Sequence, residues 1–147
     1  MNILALDLAT RTGWAHSCGE SGVQDFSPRR GDSPGMKWLA VRAWLNRVAD
    51  MAQIDLIAYE QTHHRGGAAT HSGHAMIAIV EAFAAEKQIQ ITSRHTGTIK
   101  KYATGKGNAD KVAMLSAARS RWGRVIDDNH ADALWLLALV TSEMKGC

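Results

Sequence analysis

Ile3-Leu4-Ala5-Leu6-Asp7-Leu8 is a nearly unbroken apolar run with one carboxylate near its end. Continuous apolar residues, rather than alternation, are what a central strand needs when both faces of its sheet are covered. The run therefore predicts the first strand of a layered α/β domain. Asp7 falls where that strand leaves the core, at the rim of the sheet. Ile54 to Glu60 repeats the pattern, a second apolar run ending in an acid.

Between these runs, Gly13 to Cys18 and Val23 to Phe26 flank the turn signal Gly19-Glu20-Ser21-Gly22 and predict a short antiparallel hairpin. Ser33-Pro34 supplies an N-cap and a first-turn proline. Trp38, Leu39, Val41, Leu45 and Val48 then recur at helical spacing, predicting a helix to about Met51. A strand reached through a helical crossover is expected parallel to the one before it, so Ile54 to Glu60 should run beside the first. Gln61 to Gly73 is rich in histidine and glycine without a period and reads as a loop. A helix from about His74 to Lys87, a strand over Ile89 to Thr92 and a helix from about Asn108 to Trp122 follow. Asp127 or Asp128 caps a last helix expected to turn Leu134, Trp135, Leu137 and Ala138 inward. The fold class is α/β, a mixed central sheet of about five strands flanked by helices. No internal repeat or linker breaks the chain, so residues 1–147 are read as one domain.

At 147 residues and 46% hydrophobic content, the chain can bury a substantial core. Its two cysteines, Cys18 and Cys147, supply neither a disulfide framework nor a CxxC metal knuckle. No signal-like segment opens the sequence. Its longest apolar stretch, Ala133 to Val140, is far short of the roughly 20 residues of a membrane span. The expectation is a soluble, cytoplasmic protein. The net charge of +3 is unevenly placed. Arg94, Lys100, Lys101, Lys106, Lys111, Arg119, Arg121 and Arg124 face only Asp110 between Thr92 and Arg124. Such a patch suits a polyanion, although a solvated helix face has the same composition.

Asp128 and Asp132 stand at i and i+4 on the last helix and share one of its faces. Neighbouring strands lie roughly 5 Å apart, so if the two acid-tipped strands are adjacent, Asp7 and Glu60 face one another. Four carboxylates this close raise one another's pKa unless a cation neutralises them, and hard divalent ions such as Mg²⁺ prefer carboxylate and water oxygens. Two such ions roughly 4 Å apart can activate a water and stabilise the leaving oxygen of a phosphodiester. The chemistry indicated is hydrolytic phosphoryl transfer with Mg²⁺, or Mn²⁺ in its place. Asp127 is read as the helix cap rather than a ligand.

The order of these acids resembles the RNase H-like nucleases, and among them the RuvC-like Holliday-junction resolvases, including the branch carried by bacteriophages. Asp7-Leu8-Ala9-Thr10-Arg11-Thr12-Gly13-Trp14-Ala15 looks like the family's first motif, with its acid, a short Thr/Gly turn and a return strand. Tyr59-Glu60-Gln61 looks like the second, and Asp127-Asp128-Asn129-His130-Ala131-Asp132-Ala133-Leu134 like the C-terminal one. Lys100, Gly105, Gly107, Ala109 and Lys111 fall where the resolvases carry phosphate-contacting lysines around a Gly-x-Gly turn. The resemblance implies an RNase H-like fold and metal-dependent paired nicking of four-way or branched DNA. It also implies catalytic and metal-binding roles for Asp7, Glu60, Asp128 and Asp132. DNA contacts are expected from Lys100, Lys101, Lys106, Lys111, Arg11, His63 and Arg65. Bacterial members often carry an acid where this chain has Asn129, so Asp128 is the expected fourth ligand, as in phage relatives. His130 should point off the ligand face. His63 occupies the position of an aromatic wedge. A near two-fold substrate further implies a homodimer, with the Ala-rich helix as the candidate interface: Ala75, Ala78, Ala82 and Ala85 allow close approach while Met76, Ile79 and Phe83 supply apolar area.

Competing readings are weaker. His63, His64, His71 and His74 could bind zinc, but no thiolate accompanies them. Gly105-Lys106-Gly107 lacks the remaining residues of a nucleotide-binding loop. Actin-like ATPases share the Asp-x-x-Thr start but need two such domains. Trp38, Trp44 and Trp135 lie at core spacings. A broader RNase H-type nuclease for hybrids or branched DNA and a non-catalytic junction-binding module remain as alternatives.

Overall fold

The computed structural model describes residues 1–61 and 67–146. Five strands, β1 (Ile3–Asp7), β2 (Arg11–His16), β3 (Ser21–Asp25), β4 (Leu56–Glu60) and β5 (Gln90–Arg94), form one sheet in the order β3-β2-β1-β4-β5. β1–β2 and β2–β3 pair antiparallel, whereas β1–β4 and β4–β5 pair parallel. The mixed sheet expected from the sequence is therefore present, and the two acid-tipped strands are neighbours.

Alternate residues of β1 face opposite layers, as the two-residue period of a strand requires. Leu4 and Leu6 join Ile57, Val41, Trp44, Leu45, Met76, Val80 and Phe83 beneath α1 (Pro34–Met51) and α2 (Ala68–Lys87). Ile3 and Ala5 join Ala58, Ile99, Met114, Leu136 and Val140 on the opposite face. That second layer is built by α3 (Thr96–Thr104), α4 (Lys111–Trp122) and α5 (Asp128–Lys145). Covering on both faces explains why β1 is a continuous apolar run. Trp44 and Trp135 are core residues and Trp38 packs at the core's edge, as their spacing suggested.

Several boundaries differ from the sequence reading. The hairpin strands begin about two residues earlier, so Arg11 and Thr12 already lie on β2, and Ser21 and Gly22 lie on β3 rather than in the turn. Thr12 is fully buried and its hydroxyl donates to the Ala9 carbonyl at 2.6 Å, which closes the turn leaving β1. α2 starts at Ala68, inside the stretch read as loop. Gly67, at φ 88°, breaks the chain before it, and Ala68-Ala69 are strong helix formers. α3 went unassigned in the sequence because its nine residues carry only one buried apolar side chain, Ile99. α4 begins at Lys111, where the Asp110 carboxylate accepts from Ala113 N at 2.8 Å. In α5, Leu137 and Ala138 are only half-buried, while Ala131, Ala133, Leu136, Leu139 and Val140 join Leu134 and Trp135 inside. This helix is enclosed by sheet and helices on most sides, so its apolar stripe is wider than a surface helix's. Met76 and Phe83 of α2 are fully buried in the core, so they cannot supply a dimer interface; Ala78, Ala82 and Ala85 are exposed and Ile79 half-buried.

Candidate active site

Leu6 pairs with Tyr59 across the parallel β1–β4 ladder, so the next residues on the two strands are Asp7 and Glu60. Both lie on the sheet face that bears Ala5 and Ala58, the face covered by α5. Asp7 is also opposite Gly13 on the antiparallel side. A β-carbon on Gly13 would stand 1.9 Å from the Asn129 carbonyl oxygen and 2.8 Å from His130 N. The first turn of α5 thus rests directly on the β2 backbone, which brings that helix's acids over the end of β1.

The outcome is a cluster. One carboxylate oxygen from each of Asp7, Glu60 and Asp132 lies within 4.8 Å of the others, the one grouping of potential metal ligands among the described residues. Burial, then Glu60, Asp132 and Asp128, push the Asp7 carboxyl well above its usual range. Burial, then Glu60 and Asp128, push Asp132 up to about 7, against the opposing pull of Lys100 and Lys111. The Thr96 hydroxyl, at the start of α3, donates to Glu60 Oε1 at 2.5 Å and fixes that carboxylate from its other side.

Asp128 is close enough to raise both aspartates electrostatically but stands outside the tight trio, with Lys111 Nζ 3.6 Å from its Oδ2. Asp127 is the N-cap, its Oδ1 accepting from His130 N at 2.9 Å. Its Oδ2 lies 3.2 Å from Arg11 Nη2, and Arg11 also reaches Asp25 at 3.5 Å. Arg11, expected at the DNA, is therefore committed to two carboxylates, its side chain half exposed. His130 is buried; Nδ1 accepts from Ile126 N at 3.1 Å, which leaves Nε2–H to donate to Ser21 Oγ at 2.8 Å. It fixes α5 against β3 and takes no place among the ligands.

Lys101, Lys106 and Lys111 are exposed and Lys100 is half-buried. Gly107 stacks its backbone against Gly97, each 3.5–3.7 Å from the other's implied β-carbon, so the Gly105–Gly107 loop sits beside the first turn of α3 that bears Thr96. His63 and Arg65 lie outside the described residues, as does His64. His71 and His74 are exposed on α2 and belong to no metal-ligand cluster among the described residues. Thr96 and Gly13 were missed as site residues. Thr96 carries no sequence signal beyond preceding an unassigned helix, whereas Gly13 lies inside the quoted first motif.

The donor set fits a hard divalent cation. It is all carboxylate oxygen, it carries more negative charge than the nearby lysines offset, and Asp7 and Asp132 resist ionisation in the absence of a neutralising cation.

A mixed five-stranded sheet in this order, with α5 laid across the acid-tipped strands, is an RNase H-like α/β fold. RuvC of Thermus thermophilus superposes with a TM-score of 0.76 over 99% of this chain and 97% of its own, at 16% identity. The same protein in complex with a Holliday junction substrate gives 0.76 over 92% and 90%, also at 16% identity. The yeast mitochondrial Holliday junction resolvase Ydc2 gives 0.63 over 91% and 75%, at 13% identity. No family model and no curated protein matches the sequence.

Proposed function

We propose that this chain is a divalent-metal-dependent endodeoxyribonuclease that resolves four-way DNA junctions by paired, symmetric nicks. The observation that carries the reading is the convergence of Asp7, Glu60 and Asp132 within 4.8 Å, on the fold shared with proteins solved as Holliday-junction resolvases. Mg²⁺, with Mn²⁺ as substitute and two ions per site, would be held by these three and Asp128, and supplies an activated water and neutralisation of the phosphodiester.

The chain's own residues set the geometry. β1 and β4 hold Asp7 and Glu60 at one level, Thr96 orients Glu60, and Gly13 admits the first turn of α5 so that Asp132 completes the trio. Lys100, Lys101, Lys106 and Lys111 bind the DNA backbone beside the acids. One site per chain and a near two-fold substrate are reconciled by a C₂ homodimer. Ala78, Ala82 and Ala85 of α2, with half-buried Ala75 and Ile79, are the part of the expected interface left at the surface.

The test is cleavage of a synthetic four-way junction against duplex, RNA–DNA hybrid and flap substrates, with Mg²⁺ and with chelator. Selective, chelator-sensitive junction cleavage supports the reading. Preference for hybrid or flap would favour a broader RNase H-type nuclease, and binding without cleavage a junction-binding module. Sedimentation with and without junction tests the dimer, since a monomer in both states that nicks one strand per encounter would remove the paired mechanism.

A further inference from the structure

Lys37 lies near the start of α1, across the sheet from the basic α3–α4 surface. Its Nζ donates to Thr10 Oγ1 at 2.8 Å and to Ser72 Oγ at 3.0 Å. Thr10 belongs to the turn that leaves β1 three residues after Asp7, and Ser72 to the second turn of α2. The ammonium is thus fixed by two hydroxyls contributed from separate elements, both near the carboxyl end of the acid-tipped strands. Among the described residues no carboxylate lies within ion-pairing distance of it.

Nζ also lies 5.5 Å from the centroid of the Trp38 ring, and neither that ring nor the two hydroxyls gives a half-buried ammonium the formal counter-charge that would offset its lost hydration. Burial accordingly draws the Lys37 pKa down, with no opposing acid. The two nearest acids of the adjoining hollow are engaged elsewhere. Asp32 accepts from Arg29 N at 2.8 Å, and Asp25 accepts from Ser27 N at 2.8 Å and meets Arg11. One cation and two hydroxyls, held together and lacking an anion, match the donors that a phosphate diester takes.

We infer that Lys37, with Thr10 and Ser72, is a second backbone-phosphate site on the α1–α2 side of the sheet, facing the Lys100–Lys111 surface across the acid cluster. A strand crossing the carboxyl edge of β1 and β4 would then be gripped on both sides of the bond to be cut. The inference rests on the junction-nuclease reading above.

Affinity for a synthetic four-way junction, measured in chelator across a salt series, tests it. Lys37→Met should bind about tenfold more weakly at low salt, its log–log salt slope shallower by about 0.9, the contribution of one phosphate contact. Lys37→Arg should recover both. Lysine acetylation of the unmodified protein, mapped by mass spectrometry, should show Lys37 protected when junction is added. An unchanged slope in Lys37→Met, whether or not that variant melts lower, or equal Lys37 acetylation with and without DNA, would overturn the site and leave the nuclease reading standing. A wild-type protein that does not bind the junction would overturn the nuclease reading itself, and this site with it.

Discussion

The backbone of Gly13 touches the backbone of Asn129: the Asn129 carbonyl oxygen occupies the space a β-carbon on Gly13 would need, 1.9 Å away. Because Gly13 is also the ladder partner of Asp7, this one contact sets the height of α5 over the acid cluster. Gly13→Ala must push the first turn of α5 off the sheet, at a cost of about 1–3 kcal/mol or more typical of overpacking. The expected outcome is a lowered melting temperature together with loss of cleavage. Gly22→Ala, whose implied β-carbon has Trp14 ring atoms at 3.4 Å or more as its nearest neighbours, should be far milder in both assays.

Asp127 and Asp128 are adjacent but should fail differently. Asp127→Ala removes the N-cap of α5 and a partner of Arg11, and should cost about 1 kcal/mol of stability while keeping measurable cleavage. Asp128→Asn leaves the cap intact and should lose cleavage with little change in melting. Parallel melts and nicking rates separate the two; the reverse pattern would move the fourth ligand to Asp127.

Stability should fall as pH rises in the absence of metal. Asp132 is pushed up to about 7 from an unfolded value near 3.8, and Asp7 is raised too. Between those pH values the folded state binds more protons than the unfolded one, so folding is favoured at low pH and loses that contribution as pH climbs through 7. Melts in chelator should therefore drop from pH 5 to pH 8, and Mg²⁺ should restore stability at pH 8 more than at pH 5. Asp132→Asn should flatten the chelator profile. A metal-free melting temperature that rises over this window would contradict the shared-charge account of the site.

Lys100→Ala and Lys111→Ala should each weaken junction binding and reduce the salt slope by about 0.9. Lys111 also offsets Asp128 at 3.6 Å, so its loss removes a competing cation and should lower the Mg²⁺ concentration for half-maximal cleavage in a way that Lys101→Ala does not. Titrations of salt and of Mg²⁺ on the three variants distinguish these effects.

How much was legible in the sequence follows from how local each signal is. β1 and β4 are short apolar runs ending in acids, and α1 opens with Ser33-Pro34, so these elements were plain from neighbours alone. The Asp7–Glu60 pairing needed only a parallel crossover. α3 was invisible because it is anchored by Ile99 and its contacts with α4 and α5 rather than by a periodic stripe. The Thr96–Glu60 hydrogen bond joins residues 36 apart and cannot be read from either segment. The Ala-rich face of α2 looked like an interface, yet Met76 and Phe83 serve the core, since an amphipathic helix buries its bulkiest apolar side first.

The central claim is that Asp7, Glu60 and Asp132 form one metal-dependent catalytic cluster. Its most direct test is single-turnover cleavage of a four-way junction by Asp7→Asn, run beside a binding measurement on the same preparation. The account predicts no Mg²⁺-dependent cleavage, with junction affinity equal to or tighter than wild type because one negative charge facing phosphate is gone. Wild-type cleavage by folded Asp7→Asn would contradict it.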